Sequence, residues 1–275
     1  MTVRNMTFSE LEIVLSWAAQ EGWNPGHEDA VAFFAADPEG FFVKEVSGNI
    51  VAAVSVVNHD PNHAFLGLYI CRPDYRGLGY GFDVWQAAKA HAGTRCIGLD
   101  GVPDQQENYA RDGFTRHGQT TRFEGLPEPV QAENVEVASP LDFDRLVEMD
   151  LSATGHARRL FLAAWFTQTP DRQTIVVRRD SKIAAFATVR KCQLGVKVGP
   201  LHAGDLGDVQ TLLAAAAQFS DGPVYVDVPD PQSALQSYLL SAGFSAVFET
   251  ARMYNAVPPV QNSCKFHAVA TLELG

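Results

Sequence analysis

The residues able to do chemistry are a run of glycines, one tyrosine and a few carboxylates. The densest signal is Pro73-Asp74-Tyr75-Arg76-Gly77-Leu78-Gly79-Tyr80-Gly81, between an apolar strand and a helix. Glycines let backbone amides turn inward and approach a ligand closely, and the N-terminus of the following helix favours an anionic phosphate. No Gly-Lys-Ser or Gly-Lys-Thr follows, so a P-loop would lack its lysine and its magnesium-binding hydroxyl, and the G-x-G-x-x-G spacing is absent too. A tight turn before a helix is the plainer reading of the same residues.

The elements around this loop follow from local pattern. Leu11, Val14, Leu15 and Ala18 form one stripe of a helix over 7–20, which Thr7 or Ser9 can cap. A second helix runs from about His27 to Ala36. Phe41–Val46 and Ile50–Val57 flank the turn Ser47-Gly48-Asn49 as a hairpin. Ala64–Cys71 is a mostly apolar strand, and a helix at about 81–92 follows the loop. Cys96–Leu99 reads as a short strand, Gln105–Asp112 as a short helix, and Phe114–Phe123 as the strand that closes the unit.

The second half repeats this order. TIVVRRDSKIAAFATV (174–189) aligns with FFVKEVSGNIVAAVSV (41–56), and PVYVDVPDPQSALQSYLLSAGF (223–244) aligns with TRCIGLDGVPDQQENYARDGF (94–114). Such long-period self-similarity predicts two copies of one α/β unit, at 1–125 and 135–275, with residues 126–134 as a linker. Each copy is expected to be a mostly antiparallel, twisted sheet flanked by helices, and the tail NSCKFHAVATLELG to hold a final strand.

ICRPDYRGLGYG after an apolar strand, with YARDGF further on, resembles the GNAT superfamily of acyl-CoA-dependent N-acyltransferases across residues 7–123. The family's R/Q-x-x-G-x-G/A falls on Arg76-Gly77-Leu78-Gly79-Tyr80-Gly81, and its Y-x-x-x-G-F on Tyr109 to Gly113-Phe114. The resemblance implies that this loop holds the pyrophosphate of acetyl-CoA or another acyl-CoA. It implies that Tyr69-Ile70-Cys71 pairs through its backbone with the pantetheine arm, as an added strand would. It also implies that the Ile70 amide polarises the thioester and that Tyr109 protonates the leaving thiolate. The family's usual Asn at the start of the last helix is missing, Val102 standing near that place. The layout further resembles a bacterial subgroup of tandem GNAT proteins.

The second copy keeps the scaffold and loses these residues. GPLHAGDLGDV (199–209) replaces the glycine loop, where Asp205 and Asp208 would repel a pyrophosphate, and Leu239 stands in the tyrosine position. This copy is expected to bind no CoA.

Acyl transfer to an amine needs a neutral amine, a polarised carbonyl and a proton for the thiolate. Candidates for the base are Glu21, in the turn before the second helix, and Asp100, at a strand end; Asp60 and His63 are weaker ones, and water can relay the proton instead. Trp23 is either an acceptor wall or a core anchor. Arg158 and Arg159 can face an anionic substrate group or solvent.

Composition sets the outer limits. The chain has 275 residues, 46% hydrophobic and 19% charged, enough to bury a core. A net charge of −11 disfavours nucleic acid, which needs clustered Lys and Arg. No stretch reads as a signal peptide or a membrane span. The four cysteines form no C-x-x-C and the eight histidines no H-E-x-x-H, which argues against a metal site and for a reducing cytoplasm. The expectation is a cytoplasmic N-acetyltransferase of a small-molecule amine, without metal; an acyl-CoA-binding sensor and a protein-lysine acetyltransferase are the alternatives.

Overall fold

The computed structural model describes residues 2–129, 134–219 and 222–275, so residues 130–133 of the expected linker lie outside the described residues. The first half runs β1 (Thr2–Asn5), α1 (Phe8–Gln20), α2 (Asp29–Ala36), β2 (Phe41–Val46), β3 (Asn49–Asn58), β4 (His63–Cys71), α3 (Tyr80–Ala92), β5 (Cys96–Gly101), α4 (Gln106–Arg111) and β6 (Thr115–Gly125). The second runs β7 (Val135–Val137), α5 (Phe143–Thr154), α6 (Arg159–Trp165), β8 (Arg172–Arg179), β9 (Lys182–Lys191), β10 (Val196–His202), α7 (Leu206–Ala216), β11 (Val224–Pro229), α8 (Ser233–Ser241), β12 (Ser245–Tyr254) and β13 (Phe266–Ala268).

Local chemistry sets the boundaries. Thr7 caps α1 in a reciprocal capping box with Glu10, and the stripe Leu11, Val14, Leu15 and Ala18 is buried. The short β1 was not expected from the sequence: its four residues carry no apolar alternation, and it forms by pairing with β2 along the edge.

The strands make one 13-stranded sheet in the order β1-β2-β3-β4-β5-β12-β6-β11-β10-β9-β8-β7, with β13 on β10. Among the described residues only β4–β5 and β10–β11 are parallel pairs. This order corrects the expectation that Phe114–Phe123 closes the first unit beside its own strands. β12, from the second half, lies between β5 and β6, and β6 pairs instead with β11 of the second half. The halves thus exchange β6 and β12.

Side chains fix the exchange. Phe123 of β6 is buried in the core of the second half, and Ala251 and Met253 of β12 in that of the first. A reciprocal ion pair holds each exchanged strand. Arg252 of β12 grips Asp100 of β5 at 2.7 and 2.9 Å, and Arg122 of β6 grips Asp227 of β11 at 2.7 and 2.9 Å. The offset that aligns Gly113-Phe114 with Gly243-Phe244 also aligns Arg122 with Arg252. The two arginines are therefore equivalent positions of the repeat, each crossing to the other half. A third core joins α1 and α2 to Phe161, Leu162 and Trp165 and to Ala270 and Leu274 of the terminal segment.

Candidate active site

β4 and β5 run in register only from His63–Cys96 to Leu66–Leu99. Beyond that point β5 stays paired to β12, and β4 leaves it. The departure starts at a bulge: Ala53 pairs with Ile70 and Ser55 with Gly67, so Leu68 and Tyr69 oppose Val54 alone, and Leu68 takes φ 46°. The wedge leaves the β5-facing edge of Leu68–Cys71 without a strand partner.

The glycine loop closes one side of the wedge. Gly77 and Gly79 have φ 78° and 83°, and a Cβ on either would meet nothing within 4 Å, so the left-handed turns border open space. Gly79 caps α3. The result is a cradle of backbone at a helix N-terminus, which suits a phosphate-bearing group. Arg76 is pinned by two contacts, to the Cys71 carbonyl at 2.9 Å and to Glu21 at 2.5 Å. Leu78 is exposed, and the Tyr69 ring packs against Gly81, where a Cβ would fall 2.8 Å from its hydroxyl. Burial pushes the Cys71 thiol up, opposed by Arg76, so Cys71 is a poor nucleophile.

Two cavities meet in the wedge. One, of about 430 Å³, lies along Glu21, Ile70, Cys71, Arg76, Gly79 and Gly81. The other, of about 60 Å³, is walled by Leu66, Leu99, Asp100, Tyr109, Phe248 and Leu272 among others. Trp23, Tyr69, Val102 and Gln105 line both. Trp23 is thus both wall and anchor, since its carbonyl also accepts from Arg122 and Lys197 at 2.9 and 2.8 Å.

Tyr109 projects from α4 and is 7% exposed. Its ring stacks on Trp85 at 5.5 Å, and its hydroxyl makes no hydrogen bond among the described residues. Burial, with Tyr69 adding to it, pushes the phenol well above its ordinary range, so it stays protonated through neutral pH.

The expected bases are placed differently. Glu21 lies on the larger cavity, tied to Arg76, and does not line the smaller one. Asp100 lines the smaller cavity, but both its oxygens hold Arg252 and one also meets the Thr120 and Thr250 hydroxyls at 3.4 Å. Asp60 and His63 pair with each other, 3.1 Å apart, and line neither cavity. Arg158 is buried on Asp150 and the Gly275 carbonyl, which removes it from any substrate, and Arg159 pairs with Asp144. Sequence reasoning missed Phe248, Thr250, Leu272 and Glu273, which the strand exchange and the terminal segment bring to the smaller cavity. No motif marks them.

In the second half, Asp205 caps α7 by accepting from the Asp208 amide at 2.9 Å, and Arg179 binds Asp208 at 2.5 Å. A carboxylate thus sits where the first half presents glycine backbone. Among the described residues no group of three or more His, Cys, Asp or Glu is arranged to hold a metal ion, and no helix is long and apolar enough to cross a membrane.

A glycine cradle beside a splayed parallel pair, present once in a duplicated fold, defines a tandem acyltransferase scaffold. Residues 8–115 match the Acetyltransferase (GNAT) family and residues 146–266 match an Acetyltransferase (GNAT) domain. The chain is 34% identical over 278 aligned residues to holothin acyltransferase of Pseudoalteromonas sp., covering 100% of this chain and 94% of the relative. A putative acetyltransferase from Pyrococcus horikoshii shares the fold with a TM-score of 0.84 at 18% identity, over 100% of this chain and 95% of that one. A tandem GNAT protein from the clavulanic acid biosynthesis pathway superposes with a TM-score of 0.61 at 15% identity, over 95% and 99% of the chains. The chain belongs to the GNAT acyltransferase family and is a tandem member of it.

Proposed function

We propose that this protein transfers an acyl group, acetyl in the simplest case, from acyl-CoA to the primary amine of a small molecule. The observation that carries the reading is Tyr109, a buried, protonated hydroxyl with no hydrogen bond among the described residues, on the cavity that adjoins the glycine cradle. Bound acyl-CoA would supply the thioester. Gly77, Gly79 and Gly81 would hold its phosphates, and the unpaired edge of β4 at Tyr69-Ile70-Cys71 its pantetheine arm. The Ile70 amide would polarise the carbonyl, and Tyr109 would donate to the departing sulfur. Asp100 would act as a clamp on β12 and Glu21 as a clamp on Arg76. The smaller cavity, tight and mostly apolar in its walls, suits a compact amine, and the relative named for holothin makes holothin the first acceptor to try. The second half would bind no CoA, because Asp205 and Asp208 take the phosphate position.

The test is release of free CoA from acetyl-CoA, with holothin, tyramine and tryptamine as acceptors, beside calorimetry with acetyl-CoA. Amine-dependent thiol release and one site per chain are expected. Tight binding without release from any of the three amines would refute transfer to small amines and leave a sensor.

A further inference from the structure

Four carboxylates line the two cavities of the wedge. Glu21, tied to Arg76, and Asp104 line only the larger one, and Asp100, on the smaller, holds Arg252 with both oxygens. The fourth is Glu273. It is 4% exposed and lines the smaller cavity together with Tyr109. Its Oε2 accepts from the Thr271 hydroxyl; its Oε1 has no hydrogen bond and the residue forms no ion pair among the described residues.

Glu273 is also firmly placed. Its own carbonyl presses so close to β4 that a Cβ on Gly67 would lie 2.1 Å away. The neighbouring carbonyls are held too, Leu274 by His59 Nε2 at 2.7 Å, Gly275 by Arg158 and Ala270 by Arg190 at 2.9 Å. The nearest positive charges are Arg122, spent on Asp227, and Lys197, which donates to the Trp23 carbonyl and which burial pushes down to about 8. Glu273, which lines the cavity, therefore carries one carboxylate oxygen that a cationic ligand can take without breaking an existing pair.

We propose that Glu273 is the proton acceptor of the transfer: its Oε1 receives the ammonium of the incoming amine and takes the proton that frees the nitrogen lone pair. This rests on the acyltransferase reading above. The ammonium gives one proton to Glu273, which passes it to solvent. The freed lone pair forms the N–C bond to the thioester carbonyl carbon, and the C–S electron pair leaves on sulfur. Sulfur takes a proton from Tyr109; the nitrogen sheds its second proton to solvent as the amide forms, and Tyr109 takes one proton back from solvent. The products are an amide, a thiol and one proton. The residue also sets the acceptor class: a compact amine, protonated in solution, with an apolar body against Phe248 and Leu272.

The test uses the full chain, acetyl-CoA and two aromatic amines: tyramine, an ammonium at pH 7, and phenylhydrazine, already neutral. Glu273→Gln keeps the volume and removes the base. It should lower kcat for tyramine by about 10²-fold or more, and for phenylhydrazine by much less, with acetyl-CoA affinity nearly unchanged in calorimetry. An undiminished kcat for tyramine, or equal losses on both amines, overturns the proposal while the acyltransferase reading stands. If the wild-type chain releases CoA with neither amine, the proposal falls; if it fails with holothin and tryptamine as well, the acyltransferase reading falls with it. Should Glu273→Gln lose its thermal transition, Glu273→Asp serves in its place. It keeps the charge one methylene back and should show the same larger loss for tyramine; equal losses again overturn the proposal.

Discussion

Removing Arg252 tests the strand exchange and the role of Asp100 together. The Asp100 side chain is 0% and the Arg252 side chain 10% exposed, and the pair is bidentate. Arg252→Met keeps the aliphatic stem and removes the guanidinium that lies over Phe65, stranding a buried carboxylate. Breaking one side of a buried pair costs about 3–5 kcal/mol, a large share of the roughly 5–15 kcal/mol that holds a folded protein together. At an m-value near 3 kcal/mol/M in urea, a loss of about 4 kcal/mol lowers the unfolding midpoint by roughly 1 M. The double variant Asp100→Leu/Arg252→Met replaces both charges by apolar groups and should recover most of that loss. Urea titration of the three proteins, followed by tryptophan fluorescence, reads the effect. A loss under about 1 kcal/mol in Arg252→Met, or a double variant no better than the single, would refute the clamp. Turnover then separates the two roles of Asp100, since a stable but inactive double variant would return it to the position of base.

Further outcomes follow from the same geometry. Tyr109→Phe keeps the stack on Trp85 and should lower kcat by roughly 10²–10⁴-fold at constant acetyl-CoA affinity, read by thiol release and calorimetry. Gly79→Val forces a β-branched residue to φ 83°, at a cost of about 1–2 kcal/mol, and should weaken acetyl-CoA binding at least tenfold by calorimetry while lowering the melting temperature only modestly. Burial pushes His59 down to about 4 and His156 down to about 3, so the unfolded chain binds more protons below pH 6.5 and stability falls as pH drops from there toward 4. His59 alone contributes about 3 kcal/mol of that loss near pH 4, and His59→Phe should flatten melting temperature against pH. A fragment of residues 1–125 should fail to give a cooperative thermal transition, because β5 would lose β12 and β6 would lose both its neighbours.

The elements were legible because each rests on neighbours in sequence. The stripe Leu11, Val14, Leu15 and Ala18, the Ser47-Gly48-Asn49 turn and the glycine loop declare themselves within a dozen residues, and the 34%-identical relative bears out the family. The repeat was legible too, but not the crossing. Arg122 and Arg252 look like ordinary strand arginines until each is found on an aspartate of the other half. Pairing partners of β-strands are set by tertiary packing, which periodicity does not record. Asp100 shows the same limit. Its place at a strand end beside the loop marks it as a base, and only the arrival of β12 shows that its oxygens are taken.

The exchange also explains what the second half is for. Asp205 caps α7 there and Leu239 stands in the tyrosine position, which is why the proposed function gives this half no CoA. Yet Phe248 and Thr250, on β12, and Leu272 and Glu273, on the segment beyond β13, all reach the cavity of the first half. A single GNAT unit with only its own strands would lack those walls. Under the proposed function this arrangement would be a division of labour. The first half would hold the common donor, and the second would supply residues that can vary with the acceptor. On this reading, substitutions at Phe248 or Leu272 should change the KM for the amine and leave acetyl-CoA affinity alone, whereas substitutions at Gly77 or Gly79 should do the reverse. Steady-state kinetics across the amine panel decides it, and a Phe248 variant that lost acetyl-CoA binding while keeping its fold would contradict the division.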